Sequence, residues 1–167
     1  MSLLQNFSIA ALICVAISSP CLAEDKTLSR SQVLKMYESA ADWLVKVQNK
    51  DGSFGERGPG LKGELGTTGL AVMGLAEAPA ELRKKYAAAC DKAITWMLTL
   101  QQKDGSFTHK RSGYITYRTS LALMAMKRRD AKTYKDAIAK AGQWLAETQF
   151  QDKNGVKDDD VNHGGWG

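Results

Sequence analysis

From Ser29 to Gln48 the apolar side chains fall at Val33, Tyr37, Ala40, Ala41 and Leu44, with charged residues between them on the opposite face. That spacing follows the helical period and predicts an amphipathic helix over 29–48 with one buried face. Asp51-Gly52 turns the chain, and 55–63 is a glycine-rich loop containing Pro59. The next stretch differs in kind. Between Gly66 and Ala76 the residues are Thr67, Thr68, Leu70, Ala71, Val72, Met73 and Leu75 with Gly69 and Gly74, and none is charged. A helix over 66–76 without a polar face is expected to be covered on every side, its glycines costing helix propensity but allowing close packing. The alternation then repeats. Leu82, Tyr86, Ala89, Ala93, Met97 and Leu100 predict an amphipathic helix over 80–101; the run Thr119 to Met126 predicts an apolar one over 118–129; Tyr134, Ile138, Ala141, Trp144, Leu145 and Thr148 predict an amphipathic one over 132–150. The fold class is all-α, with outer amphipathic and inner apolar helices in turn.

The helices end in a recurring phrase. Trp43-Leu44, Gln48 and Asp51-Gly52-Ser53-Phe54 return as Trp96-Met97, Gln101 and Asp104-Gly105-Ser106-Phe107. The first half returns again as Trp144-Leu145 and Gln149 at a period of about fifty residues, which marks a repeat architecture. Each unit reads as the end of an outer helix. The Trp lies on its last buried turns, and the Gln amide serves carbonyls that lack intrahelical partners. Asp-Gly makes the corner, and Phe re-enters the interior. Trp43, Trp96 and Trp144 are therefore expected to be largely buried at equivalent positions. Gln101 is expected to bond backbone at its own corner or at the start of the next helix.

These units resemble the QW motif of the squalene and oxidosqualene cyclases and of the protein prenyltransferase β subunits. Lys92-Ala93 and Lys140-Ala141 fill the motif's opening before Trp96 and Trp144, and Ser39-Ala40 fills it less well before Trp43. Departures are visible. Phe54 and Phe107 stand where the motif has its closing Trp, and Met97 stands where it has an aliphatic residue. In the third unit the turn is stretched, and Gly165-Trp166 closes it after a long loop. The resemblance covers nearly everything after residue 25. It implies a partial α/α toroid of the terpenoid cyclase type. A complete toroid of this kind is expected to hold about six helical pairs, against about two and a half here, and repeat arrays normally cap their ends. The polar, acidic stretch from Asp152 to Gly167 replaces a third inner helix, so the chain reads as truncated.

Residues 1–23 are uncharged, and their apolar run from Phe7 to Ser18 is too short to span a bilayer comfortably. With Cys21-Leu22-Ala23 ahead of Glu24, they read as a secretory signal peptide, although no Lys or Arg precedes the apolar run. Residues 24–167 then form the helical repeat domain, exported to a periplasm or the extracellular space. Membrane association depends on whether the leader is cleaved or kept as an anchor. Removing the leader leaves Cys90 as the one cysteine, hence no internal disulfide, and a buried apolar role for it. The net charge of +5 is mild, and the clusters Arg83-Lys84-Lys85 and Lys127-Arg128-Arg129 read as solvated helix faces. Without aromatic interleaving they do not point to nucleic acid.

Candidate chemistry is sparse. The resemblance implies, for the cyclases, an acid in an Asp-x-Asp-Asp-Thr motif at the head of an inner helix, poised to protonate an alkene. Aligned on Thr68 the preceding positions are Glu64, Leu65, Gly66 and Thr67, with Glu64 the one acid; aligned on Thr119 they are Ile115, Thr116, Tyr117 and Arg118, with none. Glu64 reads as a helix-starting residue, and no catalytic residue or cofactor is assigned. Asp158, Asp160 and His163 are weak metal candidates: Asp152, Asn154, Asp158, Asp159 and Asp160 could offer oxygens to calcium, with Gly155 turning the loop, or Asp160 and His163 could join a zinc site. A solvated loop with Asx turns is the plainer reading. His109, between basic residues, suggests nothing. Three functions stay open: an exported, catalytically silent toroid binding an apolar small molecule or a protein partner, a terpenoid cyclase whose catalytic repeats lie beyond residue 167, and a polysaccharide lyase on the same architecture, for which Arg118 alone is thin support. The inner surface expected to receive an apolar ligand is lined by Leu70, Met73, Leu121 and Met124.

Overall fold

Five α-helices carry the fold of the described residues: α1 (Arg30–Val47), α2 (Leu65–Ala76), α3 (Ala80–Leu98), α4 (Ile115–Asp130) and α5 (Lys135–Thr148). The computed structural model describes residues 27–58, 61–109 and 113–166, so the leader reading of residues 1–23 lies outside the described residues. From Ser31 onward the chain is one compact unit. Two short strands, β1 (Glu56–Gly58) and β2 (Leu61–Lys62), pair antiparallel between α1 and α2. A 3₁₀ turn at Asp152–Asn154 follows α5. The all-α expectation holds, and the ends that differ have local causes. α3 stops at Leu98 because the Thr99, Leu100 and Gln101 amides bond the carbonyls of Trp96, Met97 and Leu98, three residues back, tightening the last turn. α5 starts late because the Asp130 carboxylate takes the amides of Lys132 and Thr133 and the Thr133 hydroxyl.

α2 packs against α3 and α4, and α4 packs against α5. The core holds Leu65, Val72, Leu75, Tyr86, Ile94, Met97, Phe107 and Met126, all essentially without solvent contact. Each such aliphatic side chain contributes about 1.5–3 kcal/mol of transfer free energy. Gly69 gives α2 and α4 their close approach, since a Cβ there would lie 3.1 Å from the Leu121 Cβ. Gly74 has open space beside it and plays no such part. Neighbouring outer helices are also tied by polar contacts. Tyr86 is fully buried, and its hydroxyl donates to Asp42 Oδ1 at 3.0 Å; Lys85 Nζ bridges Glu38 and Asp42. One repeat later, the Tyr134 hydroxyl donates to Asp91 Oδ1 at 3.2 Å, and Arg129 binds the same carboxylate with two nitrogens at 2.8 Å.

The corners are built alike. Gln48 Nε2 donates to the carbonyl of Gly52 in its own corner and to that of Ala89 in α3, both at 2.9 Å. Gln101 Nε2 donates to Gly105 at 3.3 Å and to Ala137 in α5 at 3.0 Å. Asp51 Oδ1 accepts from the Ser53 amide and hydroxyl, as Asp104 Oδ1 does from Ser106. The Phe54 amide donates to Thr68 Oγ1 on α2, and the Phe107 amide to Thr119 Oγ1 on α4, each at 2.9 Å. Gly52 and Gly105 both sit at φ +98°, where a Cβ would overlap the backbone of Lys92 and of Lys140 respectively. Only glycine satisfies both conditions. In the third corner Gln149 Nε2 donates to Gly164, the Phe150 amide to Gly165 and the Gly164 amide to Phe150. Those backbone bonds match the pairs Asn49–Ser53 and Gly52–Asn49 of the first corner. Residues 151–163 therefore form an insertion within a corner of the same design.

Two expectations are corrected here. Trp96 and Trp144 are half-buried, but Trp43 is 60 % exposed. The cover comes from the preceding unit. Gly63, after the first corner, lies so near Trp96 that a Cβ would come 2.7 Å from ring carbon Cζ2, and the Trp144 indole lies near enough to Asp104 of the second corner to help lower that carboxyl's pKa. Among the described residues no corner precedes α1, so its Trp has no such cover. The second correction concerns α2, which is not enclosed on every side: Leu70 is 51 % exposed, because α3 and α4 occupy only part of its circumference.

Candidate functional site

Leu70 of α2 and Met124 of α4 are exposed, by 51 % and 40 %, and Met73, one turn after Leu70, is half-buried. Leu121, assigned to this surface from sequence, instead packs against Gly69 and is buried. At the N-terminal end of the two inner helices lies a depression of about 390 Å³ lined by Glu64, Tyr114, Tyr117 and Arg118. Tyr117 is 54 % exposed, and its ring comes close to Gly66, where a Cβ would meet Cε1 at 3.2 Å.

Glu64 caps α2. Its backbone is extended, and Oε2 accepts from the Thr67 amide at 2.6 Å, satisfying a helix-terminal donor. Oε1 accepts from Arg118 Nε at 3.1 Å, an ion pair reaching across 54 residues of sequence. Burial by itself would raise the Glu64 pKa, but the hydrogen bonds from Thr67, Gly66 and Arg118 outweigh it and leave the carboxyl below its usual range. A carboxylate so held is ionised near neutral pH and does not donate a proton. Tyr114 precedes α4 with φ 59° and ψ 39°, a left-handed conformation that costs a tyrosine about 1–3 kcal/mol. Its side chain is almost wholly exposed. No glycine or asparagine announces this conformation in the sequence, and sequence reasoning did not pick out Tyr114 or Tyr117 as site residues.

The other sequence candidates lie elsewhere. Gln48, Gly52, Gln101, Gly105 and Gln149 serve the corners described above. Asp158, Asp160 and His163 are exposed, and the Asp160 carboxylate accepts from the amide and side chain of Asn162 in an Asx turn. Among the described residues no group of three or more His, Cys, Asp or Glu side chains could hold a metal ion. Cys90 is buried, and burial pushes its thiol up to about 11, so it is a thiol rather than a nucleophilic thiolate. His109 packs against Trp96 with ring centroids 5.7 Å apart. Among the described residues no helix is long and apolar enough to cross a membrane.

Comparison with known proteins agrees with this geometry. No solved structure gives a significant match. The chain is 28 % identical over 164 residues to the squalene–hopene cyclase of Zymomonas mobilis subsp. mobilis (strain ATCC 31821 / ZM4 / CP4). That alignment takes in 90 % of this chain but 24 % of the cyclase, so the chain spans about a quarter of that relative's length. The family described as the prenyltransferase alpha-alpha toroid domain matches residues 6–165. With its outer and inner helices alternating around repeated corners, the chain belongs to the prenyltransferase alpha-alpha toroid family.

Proposed function

We propose that this chain is an exported segment of the toroid type that binds an apolar ligand along its inner face and performs no catalysis itself. The observation that carries the reading is the state of Glu64. The one acid at the head of an inner helix is ionised, capped onto α2 and paired with Arg118, whereas protonation of an alkene needs a neutral, strongly acidic group facing an apolar cavity. Tyr117 lines the depression with Glu64, and Leu70 and Met124 are exposed further along the same two inner helices, apolar surface that an isoprenoid-like chain could cover. Cationic intermediates also need a site closed to water, and the depression at Glu64 is open. The corners are read as QW-type units, which set the spacing of the helices and take no part in binding. Export rests on the uncharged apolar run of residues 7–18.

The test is incubation of the purified chain with squalene and with prenyl diphosphates, followed by mass spectrometry, alongside a squalene-binding titration. Expected are no products and a saturable signal weakened at least tenfold by Leu70→Asp with Met124→Asp. Turnover abolished by Glu64→Gln would overturn the proposal. A second reading, a terpenoid cyclase whose catalytic repeats lie outside this sequence, draws on the likeness to squalene–hopene cyclase over a quarter of that protein. An Asp-rich motif at the head of a further inner helix in a longer polypeptide would favour it.

A further inference from the structure

We propose that the chain binds a phosphate group in a depression between α2, α3 and α4, where the basic runs Arg83-Lys84-Lys85 and Lys127-Arg128-Arg129 meet. The depression holds about 230 Å³ and is lined by Arg83 from α3, by Arg128 and Arg129 from α4, and by Glu77, which follows α2, with the buried Cys90 among the rest. Its lining falls between residues 75 and 129, in the middle of the sequence. It is separate from the depression at Glu64. Glu64 precedes the first residue of α2 and Glu77 follows the last, so the two lie a helix length, about 18 Å, apart. Its volume suits a small polar group rather than an extended apolar chain, whose sites run to about 300–1,000 Å³.

Two of the three guanidinium groups have partners within the fold. Arg129 binds Asp91 through Nε and Nη2, and Arg128 Nη1 donates to Glu77. Their place in the last turn of α4 is also one that the helix dipole favours. Neither reason holds for Arg83. It is the fourth residue of α3, near the positive end of that helix, where a cation is disfavoured. Among the described residues no carboxylate pairs with its side chain and no carbonyl accepts from it. Each guanidinium carries five N–H donors, so the three together offer far more than Glu77 and Asp91 accept. A surplus of forked donors and of positive charge at one small depression is the recognition chemistry of an oxyanion. A carboxylate brings two oxygens, whereas a phosphate brings three strong acceptors to arginines that approach from two different helices.

Two arms test this and separate a free phosphate from a lipid headgroup: calorimetric titration of the full chain with inorganic phosphate, and flotation with phosphatidylcholine vesicles with and without phosphatidic acid. Saturable binding of inorganic phosphate, or capture by the vesicles that carry phosphatidic acid alone, is the expected result. Arg83→Gln should weaken that binding about tenfold. It should leave the melting temperature unchanged, since the Arg83 side chain holds nothing within the fold. Glu77→Gln should tighten binding severalfold, because it removes the one carboxylate among the lining residues and releases Arg128. Lys84→Gln, on the same helix but outside the lining, should bind as the wild type does. Absence of saturable binding in both arms overturns the proposal. So does an Arg83→Gln variant that binds like the wild type, or a Lys84→Gln variant that loses as much, which would mean attraction to net charge alone. Squalene titration of Arg83→Gln should match the wild type, so this proposal and the apolar-ligand reading fail separately.

Discussion

Two adjacent glutamines show how far a side chain's worth depends on where its amide points. Gln101 Nε2 joins its own corner to Ala137 of the next outer helix, while the exposed Gln102 bonds Leu100 and Thr108 within its own loop. Gln101→Ala should cost about 0.5–1.5 kcal/mol, and more if the Ala137 carbonyl is stranded; Gln102→Ala should cost much less. Urea midpoints for the pair check this, and equal losses would remove the special role of Gln101. Tyr114 carries the opposite expectation. Tyr114→Gly should raise the melting temperature by relieving a left-handed tyrosine, and should weaken ligand binding if the exposed ring contributes to it. The corner aspartates set an acid limit. Ser106 holds Asp104 below the ordinary carboxylate range through its amide and hydroxyl, and the Ser53 hydroxyl and amide do the same for Asp51. With folded pKa values depressed, their stabilisation is present above the unfolded value of about 3.9 and is lost as pH falls through the folded values. Acid unfolding of Asp104→Asn should therefore be shallower than that of the wild type.

At the scale of elements, the inner helices are fastened to the corners by two threonines. Phe107 donates its amide to Thr119, and both residues are fully buried. Thr119→Val strands that amide at a cost of about 1–3 kcal/mol, while Thr119→Ser keeps the acceptor and should lose much less. Thermal melts of the two variants separate the hydrogen bond from packing. The helices themselves were legible in sequence, because the apolar period and the Asp-Gly corners recur in register. Less legible was anything decided by a neighbouring repeat. Trp43 and Trp96 have the same local sequence context, yet one is exposed and the other covered, because cover is supplied by the unit before. Glu64 was recognisable as a helix-starting residue, but its pairing with Arg118 spans two repeats and leaves no local signal. Leu121 and Leu70 look alike in composition, and only the close approach at Gly69 buries the first and leaves the second open.

For the whole molecule, the decisive feature is that stability is relayed between units rather than concentrated in one centre. The first two corners each bond the outer and the inner helix that follow them, so energies of adjacent units are shared as in other repeat proteins. A double substitution of Gln48→Ala with Gln101→Ala, two corners apart in contact but joined through α3, should therefore depart from additivity; urea titrations of the two single variants and the double variant measure the departure.

The graded cover of the tryptophans gives this chain a built-in optical ruler. Trp43 faces water, Trp96 and Trp144 each sit beneath a preceding unit, and Trp166 closes the last corner with its indole donating to Leu145. One indole thus reports on each junction. With the other three replaced by Phe, a single remaining Trp converts iodide quenching into a count of which junctions are shut. Trp43 is the gauge that reads the surface, lining a depression with Phe54 and Ala71 and sensitive to whatever fills it.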